Sequence, residues 1–340
     1  MRRRLVLVFV MLATVMLATG AVVAQVQRDS GARGWTPPRT AFGHPDLEGT
    51  WENNSATPLE RPQALADKPF LTDAEVALMT QRQRERFSPD ADAVFGDSLY
   101  LELLRDAPTR PRLGSTGTYS QNWLPDRYFE RRTSLIVDPP SGRLPPVTPE
   151  ATRARAAALA ARQGRRAERA QDLTLTDRCV SYGVPDLFAA YMSVYRIVQT
   201  ADTVVIVMEK IHDARVVPLD GRAPVSPAIR QYLGDSRGRW DGDTLVIETT
   251  NFHPGGNPMG GLLNRASHHL KLTERLRRVS ADALEYTFTV DDPTVWVSPW
   301  TATITWKRAS GDVLEYACHE GNYSLRGMLS ALRAEEAAAR

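Results

Sequence analysis

Between Arg239 and Tyr323 the chain passes through five β-strand segments in a row. The clearest is Leu284, Tyr286, Phe288 and Val290 alternating with Glu285, Thr287 and Thr289. A period of two places one set of side chains on a buried face and the other on a solvated face, a pattern that fits a strand and not a helix. Trp300, Ala302, Ile304 and Trp306 alternate in the same way with three threonines. Asp241-Gly242-Asp243 separates the strand sequences Gly238-Arg239-Trp240 and Thr244 to Thr250, a strong hairpin signal. Leu270 to Val279 is strand-like, with Leu270, Leu272, Glu274 and Leu276 on one face. Val313 to His319 reads as the last strand, with Leu314, Tyr316, Cys318 and Glu320 in one parity and His319 with Glu315 in the other.

Upstream, Arg132 to Asp138 reads as a buried strand ended by Pro139-Pro140-Ser141-Gly142. Tyr195 to Thr200 and Thr203 to Lys210 form a hairpin across Ala201-Asp202, and Arg215 to Leu219 follows as a third strand. Helices are expected around the outside. Thr72 and Glu75 form a capping box for a helix over about 71–87. Leu99 to Leu104 and Pro224 to Leu233 read as short helices. Thr148 with Pro149 opens an Ala- and Arg-rich helix over about 149–170, and a charged helix spans about 324–339. The fold class is therefore mainly β with peripheral helices: a curled or closed antiparallel up-and-down sheet, with a lipocalin-like barrel as one form. One β-rich domain over residues 25–340 is the simplest division, since no repeat or clean linker interrupts it.

Residues 1–24 read as a signal peptide. Arg2, Arg3 and Arg4 precede an apolar run from Leu5 to Ala18, and Val22-Val23-Ala24 offers a cleavage site. An uncleaved anchor is the alternative; no later run is long enough to span a membrane. The 42 basic residues outnumber the 40 acidic ones only because of those three arginines, so the charge gives no argument for a nucleic-acid partner. The chain is expected to be exported, periplasmic or extracellular. In such a compartment the two cysteines, Cys179 and Cys318, are expected to pair. The alternative is a nucleophilic Cys318 beside His319.

Several segments carry a resemblance: Pro45-Asp46-Leu47-Glu48-Gly49-Thr50-Trp51, Arg131 to Arg143, Arg178 to Pro185, Gly238 to Phe252 and Tyr316 to Tyr323. Together they resemble a family of uncharacterised exported bacterial proteins, which implies no reaction. Separately, Gly49-Thr50-Trp51 is similar to the first-strand signature of lipocalin-like barrels, in which the tryptophan closes the barrel floor.

The residues bear on four kinds of chemistry. A carboxylate among apolar side chains acquires a raised pKa and acts as general acid or base. Glu320, with His319 or Asp292 as partner, is the catalytic candidate; a turn cap is the structural alternative. Glu274 shares an apolar face, where an ion pair with Arg275 or Arg277 is the structural alternative. The six histidines show no metal-binding spacing, and adjacent His268 and His269 are expected on opposite faces of a strand, so no metal is assigned. The glycines of Phe252 to Gly261 precede a strand rather than a helix, so they read as a flexible rim, and no cofactor is implied. No Gly-x-Ser-x-Gly elbow occurs. Finally, Tyr286, Trp300, Tyr316 and Tyr323, with Glu274, are candidates to line a cavity in a curled sheet, against the alternative of ordinary aromatic core.

The reading is an exported protein that binds a small apolar or aromatic molecule in a β-sheet cavity. The alternative is a hydrolase, lyase or isomerase of the same shape. A third class is an interaction protein using the polar helices near residues 72–87 and 150–170. Oligomeric state is not indicated.

Overall fold

The computed structural model describes residues 35–86, 97–105, 127–162, 169–187, 192–256 and 266–338. The leader, the Gly/Ser/Thr-rich stretch 114–126 and most of the glycine-rich rim lie outside the described residues.

Ten strands form one antiparallel sheet: β1 (Gly49–Glu52), β2 (Ile136–Asp138), β3 (Val194–Gln199), β4 (Thr203–Met208), β5 (Ala214–Pro218), β6 (Asp235–Asp241), β7 (Thr244–Thr250), β8 (Lys271–Arg278), β9 (Ala283–Asp291) and β10 (Trp300–Arg308). The strand order is β5-β4-β3-β1-β10-β9-β8-β7-β6, with β2 added beside β10. Read as a circle, this is chain order with one break, between β5 and β6. The sheet is thus a nearly closed up-and-down barrel. The two strands at the break lie side by side without a backbone ladder. Gly238 lets them approach: a Cβ there would stand 2.6 Å from Leu219 Cδ2 and 2.7 Å from Val217 Cγ1.

Alternation puts the apolar parity inside. Ile197, Val204, Ile206, Val217, Leu245, Ile247, Leu272, Leu276, Leu284, Phe288, Val290, Trp300 and Ile304 form one buried cluster. At roughly 1.5–3 kcal/mol for each large apolar side chain, this burial is the main force closing the sheet.

Among the described residues, four α-helices lie outside the sheet: α1 (Asp73–Arg86), α2 (Asp97–Arg105), α3 (Pro149–Arg162) and α4 (Ser324–Ala338). The capping box at α1 forms as expected, with Thr72 N–H donating to Glu75 Oε2 at 2.8 Å and Glu75 N–H donating to Thr72 Oγ1 at 3.2 Å. Helices α1 and α2 share a second small core of Leu71, Met79, Tyr100, Leu103 and Phe129. Helix α3 is described from Pro149 to Arg162, residues 163–168 of its expected span lie outside the described residues, and 224–233 is turn rather than helix. No helix among the described residues is long and apolar enough to cross a membrane.

The expected strand Val313–His319 does not form. The reason is geometric. Both edges of β10 are taken, by β9 on one side and by β1 and β2 on the other. The tail therefore leaves the sheet after Arg308, passes β3, where Asp312 pairs with Arg196, and reaches the loop after β4, where the Leu314 N–H donates to Glu209 Oε2 at 3.3 Å.

Candidate functional site

The two ends of the barrel differ. One is shut by Trp51, as the lipocalin-like signature implies. Trp51 is fully buried and its indole N–H donates to the Leu47 carbonyl at 2.9 Å. The Arg308 guanidinium lies 4.6 Å from the ring centroid and that of Arg278 lies 5.6 Å away. Gly49 sits at φ +125°, a backbone conformation that L side chains rarely adopt, which explains the glycine of the signature. The segment before β1 covers this end, with His44 stacked on Trp240 and Arg39 paired to Asp243.

The opposite end is built from the loops 179–187, 209–213 and 292–299 and carries two buried ion pairs. In the first, Arg215 on β5 donates to both carboxylate oxygens of Glu274 on β8, at 2.8 and 2.5 Å. The same guanidinium reaches Ser236 Oγ and Thr249 Oγ1, each at 3.1 Å, so it bridges the unladdered seam. The Tyr286 hydroxyl donates to Glu274 at 2.7 Å. Burial alone would lower the Arg215 pKa, but the charge and hydrogen bonds of Glu274 outweigh it and hold the guanidinium above its ordinary value. Tyr286 is pushed well up by burial and then by the Glu274 charge.

In the second pair, Lys210 donates to Asp186 Oδ2 at 2.7 Å and to Ser193 Oγ at 3.0 Å. The Tyr195 hydroxyl donates to the same Asp186 oxygen at 2.8 Å, and the Tyr182 ring lies 4.6 Å from the ammonium. The two pairs are joined by stacked rings. Trp306 packs on Tyr195 at 4.2 Å between centroids and on Tyr286 at 4.6 Å.

The backbone here is unusual. Five described non-glycine residues have positive φ, and four of them, Cys179, Met192, Ile211 and His212, lie in the segments that supply the second pair. A β-branched residue such as Ile211 avoids this region, and such residues cost about 1–3 kcal/mol each unless the surroundings hold them. Cys179 and Cys318 form the expected disulfide, with Cα atoms 5.7 Å apart. It ties the loop carrying Asp186 to the tail.

Of the residues singled out in the sequence, Glu274, Tyr286 and Trp300 lie together inside the barrel. Glu274 has its ion pair, but with Arg215 across the barrel rather than with Arg275 or Arg277, whose side chains face outward to Asp241 and Glu285. Asp292 organises the turn after β9, accepting from Ser267 N–H at 2.6 Å and from the Thr294 hydroxyl at 2.6 Å. His319, Glu320 and Tyr323 are exposed on the tail, and Tyr316 is partly exposed there. No hydrogen bond or ion pair among the described residues joins Asp292 to His319 or Glu320. His268 and His269 are not on a strand; they lie in the turn before β8 with ring centroids 4.0 Å apart. No cluster of three or more metal-ligating side chains occurs among the described residues.

Sequence reasoning missed Arg215, Lys210, Asp186, Ser193 and Tyr195. One signal was present: Arg215 shares a parity with Val217, so a charged side chain falls on the inward face of a strand.

No family model and no curated protein matches the chain, so its resemblance to exported bacterial proteins rests on the sequence segments alone. Among solved structures, part of the chain is similar to a secretary abundant heat soluble (SAHS) protein from Ramazzottius varieornatus. The two are 16% identical over 34% of this chain and 70% of that one, with a TM-score of 0.23.

Proposed function

We propose that this exported protein binds a small aromatic or apolar molecule that also carries hydrogen-bond acceptors, held in the half of the barrel around Tyr286, Trp300 and Glu274. One observation carries this reading. Arg215 Nε, Trp300 Nε1 and Trp306 Nε1 are buried donors without a hydrogen-bond partner, and all three belong to side chains on the inward parity of the barrel. A buried donor left unmet costs about 1–3 kcal/mol. Three of them on the inward face beside aromatic rings suit a guest with a flat apolar body and oxygen acceptors. Barrel mouths are a common place for such sites. The disulfide fits an oxidising compartment. Tyr316, Tyr323, His319 and Glu320 sit outside this interior and contribute to a different surface.

Calorimetry and tryptophan fluorescence with benzoate, benzyl alcohol and toluene test the reading. The two oxygen-bearing probes should bind about 3–10-fold more tightly than toluene, the worth of one net hydrogen bond. Trp306→Phe should shrink that margin. Equal affinity for all three, or binding by none, would sink the proposal.

A further inference from the structure

The chain has four lysines: Lys68, Lys210, Lys271 and Lys307. Three are partly or well exposed, whereas the Lys210 side chain retains 2% of its surface. A buried ammonium–carboxylate pair is a weak device for stability, since apolar replacements of similar volume are often neutral or better. Here the pair is also flanked by a phenol and a hydroxyl and is followed directly by two residues in the left-handed region, Ile211 and His212. Burial draws the Lys210 pKa below the ordinary lysine value while the Asp186 charge opposes it, so the neutral amine is more accessible than on an exposed lysine.

We propose that Lys210 is a nucleophilic amine that condenses reversibly with an aldehyde or ketone of the bound molecule, with Asp186 as counter-ion of the product and Tyr195 as positioning and proton-relaying phenol. The inference rests on the small-molecule reading above and adds the functional group of the guest. The step balances. Lys210 passes one proton to Asp186, and Nζ adds to the carbonyl carbon. Asp186 and Tyr195 return protons to the oxygen, which leaves as water carrying two of the three ammonium hydrogens. The third stays on nitrogen as the iminium. The positive charge remains opposite Asp186, so no unpaired charge is created in the interior. The Tyr182 face, 4.6 Å from the ammonium, favours a cation in either state.

The test is trapping. Purified full-length protein is incubated with benzaldehyde and cyanoborohydride, and the modified lysines are mapped by peptide mass spectrometry. The expected result is a benzylated Lys210 in at least severalfold excess over each of Lys68, Lys271 and Lys307. Lys210→Arg keeps a cation for Asp186; it should lose the adduct and still bind benzyl alcohol. Labelling confined to the exposed lysines, or no adduct at Lys210, overturns the proposal. Benzyl alcohol binding then separates the two ideas: retained binding leaves the barrel reading standing, and absent binding removes both.

Discussion

At the Trp51 end of the barrel the charges sit beside the ring. Arg278 is buried, but its guanidinium donates to the Asp46 carbonyl at 3.0 Å and pairs with an Asp46 carboxylate that is part-exposed, while Arg308 is part-exposed over the indole. At the loop end the charges are inside. Arg215, Glu274, Lys210 and Asp186 are all buried, and each pair is wrapped in hydroxyl groups and aromatic rings. Both ends stop the barrel from opening, but only the loop end encloses both partners of its ion pairs. A single aromatic plug with cationic neighbours suffices at the Trp51 end. The loop end therefore carries more polar machinery than closure requires, and that excess is the structural ground for placing function there.

The contrast is breakable. Glu274→Leu strands the Arg215 guanidinium in the interior and should remove about 3–5 kcal/mol of stability in urea unfolding. Adding Arg215→Met should recover most of that loss. The matching change at the other end, Asp46→Asn, removes a partner that is 29% exposed and leaves the buried Arg278 its carbonyl acceptors on Asp46 and Ala281, so it should remove about 1 kcal/mol or less. Equal losses at the two ends would erase the distinction. Trp51→Phe comes next. It gives up the indole hydrogen bond and part of the cation–π contact, about 2 kcal/mol together.

A pH series sharpens the assignment of Lys210. Its folded pKa lies below the ordinary 10.5, so between those two values the unfolded chain binds more protons. This residue's contribution to stability therefore rises as pH climbs through that window, by at most about 1.4 kcal/mol per pH unit. Lys210→Arg stays charged throughout, so its unfolding midpoint should follow a flatter alkaline course than the wild type. Parallel courses would place Lys210 in a solvated setting. The smallest effect has the opposite sign. His212 is exposed at φ 49°, and His212→Gly should raise stability by about 0.5–1 kcal/mol, because glycine occupies that region without penalty. A loss would mean that the imidazole makes an interaction worth more than the strain.

The same contrast explains what was legible in the sequence. The barrel was legible because its signals are local: alternation in β9 and β10, Asp-Gly between β6 and β7, and Gly-x-Trp in β1. The disulfide was legible because the chain holds only two cysteines and its first residues read as an export signal. The loop end was not, because its partners are set by closure of the sheet. Glu274 faces Arg215 only once β5 and β8 lie across the barrel from one another, and Lys210 meets Asp186 only once the loop 179–187 folds over β4. The missing last strand has the same origin. Val313–His319 has strand-like residues, but closure by β1 leaves no edge for them. That in turn moved His319 and Glu320 out to an exposed tail.

The most direct test watches the unpaired donors. Nitrogen-15 labelling of the tryptophan indoles gives one N–H signal for each ring, assignable through Trp300→Phe and Trp306→Phe. On titration with benzoate or benzyl alcohol, the Trp300 and Trp306 signals should move downfield and gain protection from exchange, while the Trp51 signal, already bonded to Leu47, stays in place. Unchanged Trp300 and Trp306 signals under saturating probe, or shifts confined to exposed rings, would contradict a guest inside the loop end of the barrel.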